Sequence, residues 1–452
     1  MTQSVGDERL VRSVETLCEM VAGEVDAYEI FVSCDDGFSV EAEGGSVDTL
    51  KARSSSGVGL RTIQKGRQGF GFTNVLDTDA LKSMVGDTLS GSKSTTVDEY
   101  LAFSTPEAAG EGLDLKTFDT TEATTEAERI ECAIRIEKSA LDVDPRVQRV
   151  RKASYSESTS SSRVVNSNGV DVAQSATYSS ASVMAVAEEG GEAQMGWDVG
   201  LSHSGHGIDP EAIGAGAAKN ALRMLGARKI ETVKCPAVIE NVVVSELLGS
   251  LAGSFLADNV HKNKSMLNGK LGKKVASSVL SIHDNALMVG GWASSLYDGE
   301  GVPCRDTPLM VDGVVEAFLY DGYWARRDCA ATTGSSSRSG YKGLPSIGFS
   351  NLYIEGGEKS LDGLLAEIPK GLLITELLGV HTINTVNGDF SIGAAGLWVE
   401  GGELKYPVRG MAISGNLLEL FGHAAECGSD LRFIGSIGAP SILFNEIEAS
   451  GT

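Results

Sequence analysis

Apolar residues recur at helical spacing near the start of the chain. Leu10, Val11, Val14, Leu17, Cys18 and Val21 predict an amphipathic helix over Asp7–Val25, with Asp7 as its N-cap. Period-two alternation follows, so Tyr28–Cys34 reads as a strand, Ser39–Ala42 as its partner, and Val58–Ile63 as a third strand closed by a Lys65-Gly66 turn. A second helix is predicted for Asp77–Ser90 and a third for Glu122–Asp142; the intervening Glu99–Thr121, broken by Pro106, Gly110 and Gly112, reads as loop. Strands are then predicted at Val147–Tyr155, Ser162–Asn166, Val170–Ala176 and Ser180–Ala187, with Asn168-Gly169 as a type I′ hairpin signal. The serine-rich run Ser154–Ser162 reads as an exposed strand–turn–strand edge, because alternation resumes on both sides and no proline interrupts it.

Asp209-Pro210-Glu211 supplies an N-cap, a proline at the first helical position and an acidic first turn, for a helix running to about Gly226. The Arg228-Lys229 junction divides the chain into an N-terminal domain over 1–228 and a C-terminal domain over 229–452. The second half opens with a strand at Pro236–Glu240 and a helix from Val244 to Val260, whose apolar face is Leu247, Leu248, Leu251, Phe255 and Leu256. Later, Leu377–Asn416 carries eight glycines in forty residues, with Gly401-Gly402 as a hairpin turn. The pattern as a whole predicts an α+β fold: helix plus antiparallel sheet first, then a β-rich, glycine-turned half.

Composition narrows the partners. With Lys plus Arg at 38 and Asp plus Glu at 61, the formal charge of −23 opposes binding to nucleic acid and to anionic membrane. No stretch has the run of about 18 apolar residues that a membrane span needs. Seven cysteines without CxxC spacing suit reduced thiols in a cytoplasm.

Candidate chemistry is sparse. Gly57 and Gly59 are not followed by a third glycine opening a helix, so a phosphate loop is not supported. His203 and His206 form either half of a metal site or a polar cap before the helix. Asp298 and Glu300 have the chemistry for acid/base or metal work, although two carboxylates so spaced on a turn are expected to be solvated.

The run 298–327 (DGEGVPCRDTPLMVDGVVEAFLYDGYWARR), the run 381–421 (HTINTVNGDFSIGAAGLWVEGGELKYPVRGMAISGNLLELF), SGVGLRT with KGRQGFGFTN at 56–74 and the NSNG turn at 166–169 together resemble the TldD/PmbA family. These are two-subunit metallopeptidases once described as modulators of DNA gyrase. The resemblance implies that a catalytic subunit carries HExxxH on a helix, with a cysteine near its C-terminus completing a zinc site. Here Gly249 and Ser254 stand at the histidine places and Ser250 at the glutamate place, while the glycine-rich run that would hold the cysteine reads Gly435-Ser436-Ile437-Gly438. The chain therefore resembles the PmbA (TldE-like) subunit. That implies no catalytic residue, metal or cofactor of its own, zinc in a TldD-like partner, and a hollow assembly admitting unfolded or short peptides.

Asp298, Glu300, Asn387, Asp389 and Asn416 are the polar residues expected to line a peptide cleft or fix its loops. Gly393–Trp398 is expected to offer backbone for strand addition by a peptide. Two alternatives stay open. One is a self-sufficient peptidase with a metal site drawn from His203, His206, His261, His283, Cys304, Cys329 and Cys427; the other is a homodimeric binding protein without enzymatic role.

Overall fold

The computed structural model describes residues 8–110, 112–121 and 123–451. Among the described residues, the first half is one six-stranded antiparallel sheet carrying four α-helices. In chain order these are α1 (Glu8–Val21), β1 (Ala27–Glu43), β2 (Ser46–Gln64), β3 (Arg67–Thr73), α2 (Thr78–Ser92), α3 (Glu126–Leu141), β4 (Val147–Asn166), β5 (Asp171–Glu189), β6 (Glu192–Ser202) and α4 (Pro210–Leu222). The sheet order β3-β2-β1-β4-β5-β6 joins two units of identical plan, helix–three-strand meander–helix, through the β1–β4 pair.

The helices share one face of the sheet. Ile30, Val32 and Cys34 of β1 pack with Leu10, Leu17 and Leu81, while Val40 and Ala42 of the same strand and parity pack with Ile136 and Ala217. The other face, beginning with Glu29, Phe31 and Ser33, is turned toward the second half of the chain. Side-chain caps start three helices: Asp77 accepts from Ala80 N, Thr125 forms a capping box with Glu128, and Asp209 accepts from Ala212 N. The proposed Asp7 cap lies outside the described residues.

Several sequence readings change here. Tyr28–Cys34 and Ser39–Ala42 are one strand rather than a pair, because Gly37 is extended and lies opposite Arg53 instead of turning the chain. Likewise Ser154–Ser162 is no edge and holds no turn. It is the middle of β4, hydrogen-bonded to β1 on one side and β5 on the other. At the hairpin beyond it only Gly169 has positive φ (95°), so the turn is not type I′; the Asn166 side chain holds it by accepting from Asn168 N and Val170 N. Close backbone approach explains another glycine. A Cβ on Gly196 of β6 would lie 2.2 Å from Ala221 N and 2.3 Å from Ala217 O, so the helix α4 sits directly on that strand. Gly196→Val is expected to cost about 1–3 kcal/mol through overpacking, measured as a lowered urea midpoint.

The second half begins with β7 (Val233–Ile239) and α5 (Asn241–Ala252). Its larger sheet runs Glu403–Asn416, Asp389–Glu400, Lys370–Leu378, β7, Ile442–Ser450, Ala424–Cys427. A further pairing of Ala412 and Ile413 with Ser450 and Ala449 curls this sheet toward closure. A smaller six-stranded sheet includes Ile282–Asn285, Leu352–Ile354 and Ile437–Ala439, and the largest core cluster lies between the two sheets and α5. The hairpin turns at Asp312-Gly313 and Gly401-Gly402 have positive φ at both residues, as type I′ requires. The predicted Val244–Val260 helix is instead three pieces. It stops at Ala252, passes through a 3-10 turn at Gly253–Phe255 and resumes as Ala257–His261, because the Leu256–Ala257 backbone bridges to Leu319.

Candidate functional site: the cleft between the two halves and helix α5

The strand residues facing away from the four helices meet the C-terminal half in a buried ionic cluster. Arg61 Nη1 of β2 donates to Glu29 Oε1 of β1 (3.0 Å) and to Glu300 Oε1 (3.3 Å), and Arg338 reaches Glu29 from the other side. All four side chains are at most 8% exposed, and they carry two positive and two negative charges. Burial pushes the Glu29 carboxyl up, but the guanidinium groups of Arg61 and Arg338 outweigh it and hold it below the ordinary value. Beside the cluster, Tyr341 crosses the sheet. A Cβ at Gly57 or Gly59 would come within 2.5 Å of Tyr341 atoms, so the two glycines that resembled a phosphate loop are there to let this residue approach.

Asp298 and Glu300 are buried, 5% and 4% exposed, which corrects the expectation of a solvated pair. The turn folds inward because Asp298 replaces water with backbone donors: Glu300 N at 2.8 Å, Val302 N at 3.0 Å and Ser336 N at 3.0 Å. Burial, then the charge of Glu300, pushes the Asp298 carboxyl up to about 7 against those bonds. Native Asp298 therefore binds more protons than its unfolded counterpart between 3.8 and about 7, and stability contributed by this group falls as pH rises through that window. Asp298→Asn is expected to flatten the pH dependence of the urea midpoint across the same range. An unchanged slope would count against a raised Asp298.

Asn387, Asp389 and Asn416 form a separate set, the first two exposed and Asn416 half-buried. Asn387 Nδ2 donates to Asp389 Oδ2 (2.8 Å), Asn416 Nδ2 to Asp389 Oδ1 (3.0 Å), and Asn416 caps the helix Leu417–Gly422. Strand addition at Gly393–Trp398 is ruled out, since that segment pairs with Lys370–Leu378 on one side and Glu403–Asn416 on the other.

α5 packs against Arg432–Ile434 and Ile437–Ala439, so the helix and the glycine-rich run stand next to each other. A Cβ on Gly249 would touch Ile437 Cδ1 at 3.3 Å. Ser250 Oγ bonds back to Glu246 O, and Ser254 is 1% exposed with its hydroxyl unpartnered. Zinc needs imidazole, thiolate or carboxylate donors. A hydrogen atom, two hydroxymethyls and an isoleucine do not fit it.

The alternative metal pool is dispersed. His203 lies between Thr177 O and Gly291 O, His261 faces Asp328, His283 faces Asp306 and Glu355, and His206 lies near Asp119 and Glu128. Cys304 is inside the cleft, Cys329 is exposed and Cys427 Sγ contacts Val279 O. Among the described residues no three His, Cys, Asp or Glu side chains converge on a metal position.

Family models match most of the chain: PmbA/TldA metallopeptidase domain 1 over 28–90, the central domain over 119–225 and the C-terminal domain over 232–451. The chain belongs to the PmbA/TldD family. The first two matches fall on the two helix–meander–helix units. "Metalloprotease PmbA" of Escherichia coli is 30% identical over 98% of this chain and 96% of its own length. "Metalloprotease TldD homolog" of Haemophilus influenzae is 22% identical over 95% of the chain and 93% of its length. A solved structure of a proposed modulator of a DNA gyrase from Thermotoga maritima superposes with TM-score 0.90 at 26% identity, covering 97% of this chain and all of that one. TldE from Thermococcus kodakarensis has the same fold, with TM-score 0.87 at 23% identity, over 97% of this chain and all of its own.

Sequence reasoning missed Glu29 and Arg338 as members of this region. The one available signal was a charged residue, Glu29, in the otherwise apolar strand YEIFVSC. No helix of the described residues is long and apolar enough to cross a membrane.

Proposed function

We propose that this PmbA/TldD-family chain is a non-catalytic, TldE-like subunit of a cytoplasmic metallopeptidase, pairing with a TldD-like chain that holds zinc and performs hydrolysis of unfolded or short peptides. One observation carries the reading: α5 and the run 435–438 are packed together as a zinc site would need, yet positions 249, 250, 254 and 437 offer Gly, Ser, Ser and Ile. Metal-assisted hydrolysis requires donors to hold the ion and a carboxylate to accept a proton from the attacking water. A chain lacking both at this position contributes shape and peptide binding instead. Asp298 and Glu300 fix loops here: their oxygens are occupied by backbone N–H groups and by Arg61.

Co-expression with a TldD-like chain carrying HExxxH tests this. A stable complex is expected that cleaves peptides, with zinc following the partner chain, while this chain alone neither cleaves nor retains zinc. Stoichiometric zinc in the isolated chain, or no complex at all, would overturn the proposal.

A further inference from the structure

Between the sheet of the first half and the second half runs a cleft of about 1080 Å³. Its walls are mostly uncharged, with Ser160 and Ser162 of β4, Tyr178 of β5 and Ser295 among them. It continues inward, past Gln174, Ser295 and Tyr297, into a narrower space of about 220 Å³ lined by Phe31, Val164 and Phe349 and by the carboxylate of Asp284. Asp284 is 4% exposed. Its Oδ1 accepts from Ser350 N (2.6 Å) and Ser350 Oγ (2.9 Å), whereas Oδ2 has no hydrogen bond or ion pair among the described residues. Ser336, on the same wall, has a buried hydroxyl oxygen without a partner.

We propose that this inner space binds a primary ammonium group, the lysine side chain of a peptide lying in the cleft. The idea rests on the peptide-handling role above and specifies which residue such a peptide presents. Apolar walls suit the methylene stem of lysine, which packs against carbon while its charged head seeks a carboxylate. Arginine fits less well, because its fork pairs with two carboxylate oxygens and Asp284 has only one free. An anion is disfavoured too. Arg338, the cation lining this space, is already paired with Glu29 and donates to Gly299 O at 2.6 Å. Asp298, the second carboxylate here, already accepts from three backbone N–H groups, two on Oδ1 and one on Oδ2, so Asp284, whose Oδ2 accepts none among the described residues, is the better-placed group to meet the ligand. Burial pushes the Asp284 carboxyl up to about 6, with nearby Asp306 adding to it, as expected for a buried acid awaiting a cation.

The test uses the full chain without any partner, so it stands or falls separately from complex formation. Acetylated and amidated Ala-Lys-Ala and Ala-norleucine-Ala are titrated calorimetrically. The lysine peptide is expected to bind about tenfold tighter, the equivalent of one charge-assisted hydrogen bond. Asp284→Asn should bring the two within about twofold, while Asp142→Asn, an exposed helix-end carboxylate, should keep the wild-type preference. Equal binding of both peptides by the wild type, or a preference that survives in Asp284→Asn, overturns the proposal. Should Asp284→Asn not fold, the wild type still decides the matter. Its lysine preference should weaken as pH drops through about 6, where Asp284 takes up a proton, with Asp298, Cys304 and Asp306 the other titratable groups around it. A preference that does not change with pH overturns the proposal.

Discussion

Arg61→Ala is expected to destabilise the folded chain by about 3–5 kcal/mol, because it removes one partner of a buried charge cluster and strands the others. Among the described residues, Glu29 would keep Arg338 as its single paired cation, and Glu300 would keep only the Gly322 N–H, at 3.1 Å, as a hydrogen-bond partner for its side chain. Arg61 also lies over the Phe103 ring, 5.1 Å from its centroid, so packing is lost with the charge. Arg61→Lys should cost less, since it retains a charge without the fork that spans Glu29, Glu300 and Gln68. Urea unfolding at neutral pH reads both variants. A loss below about 1 kcal/mol for Arg61→Ala would mean that the cluster behaves like a surface pair.

The cluster also sets an acid limit. Because the native Glu29 carboxyl titrates below its ordinary value of 4.5, the stability it contributes is fully present above that pH and is lost as pH falls through the lower native value. This window is distinct from that of Asp298, which acts in the opposite sense between 3.8 and about 7.

Phe255→Ala should cost a comparable amount, about 3–5 kcal/mol, as a large side chain removed from a closed core. Phe255 is 0% exposed and belongs to the cluster that joins α5 to both sheets of the second half. Its backbone is also pinned, with Leu319 N donating to Phe255 O at 2.8 Å and Ala257 N donating to Leu319 O at 3.0 Å, which limits collapse into the vacated space. Phe255→Leu should lose less than about 1.5 kcal/mol. Equal midpoints for the wild type and Phe255→Ala would show that the helix end is not anchored there.

Helix starts were readable at Asp77 and Asp209, where the capping side chain and its partner are three residues apart, whereas the start at the Thr125 capping box was expected four residues early, at Glu122. The turns at Lys65-Gly66 and Gly401-Gly402 were readable for the same reason: left-handed φ is a local demand on residue type. Strand length was not. Gly37 and the serines of β4 look like breaks until a neighbouring strand is hydrogen-bonded along each side of them. Ser160 and Ser162 are tolerated because they open on the cleft, and Ser161, on the opposite face, pairs its hydroxyl with Ser175.

The candidate site divides the same way. Absence of imidazole and carboxylate at positions 249, 250 and 254 is a matter of residue identity, legible once the motif is aligned. That Asp298 and Glu300 are buried, that Arg61 reaches Glu300 across 239 positions of chain, and that Asp284 lines the inner end of the cleft depend on how the two halves meet. By itself, then, the sequence determined the α+β class, the helix starts at Asp77 and Asp209, the turns at Lys65-Gly66 and Gly401-Gly402, and which residue types stand at positions 249, 250 and 254, because each rests on side-chain chemistry within a few residues. Only the tertiary structure decided which charges are buried and paired and where the cleft ends, because desolvation and pairing depend on neighbours distant in the chain.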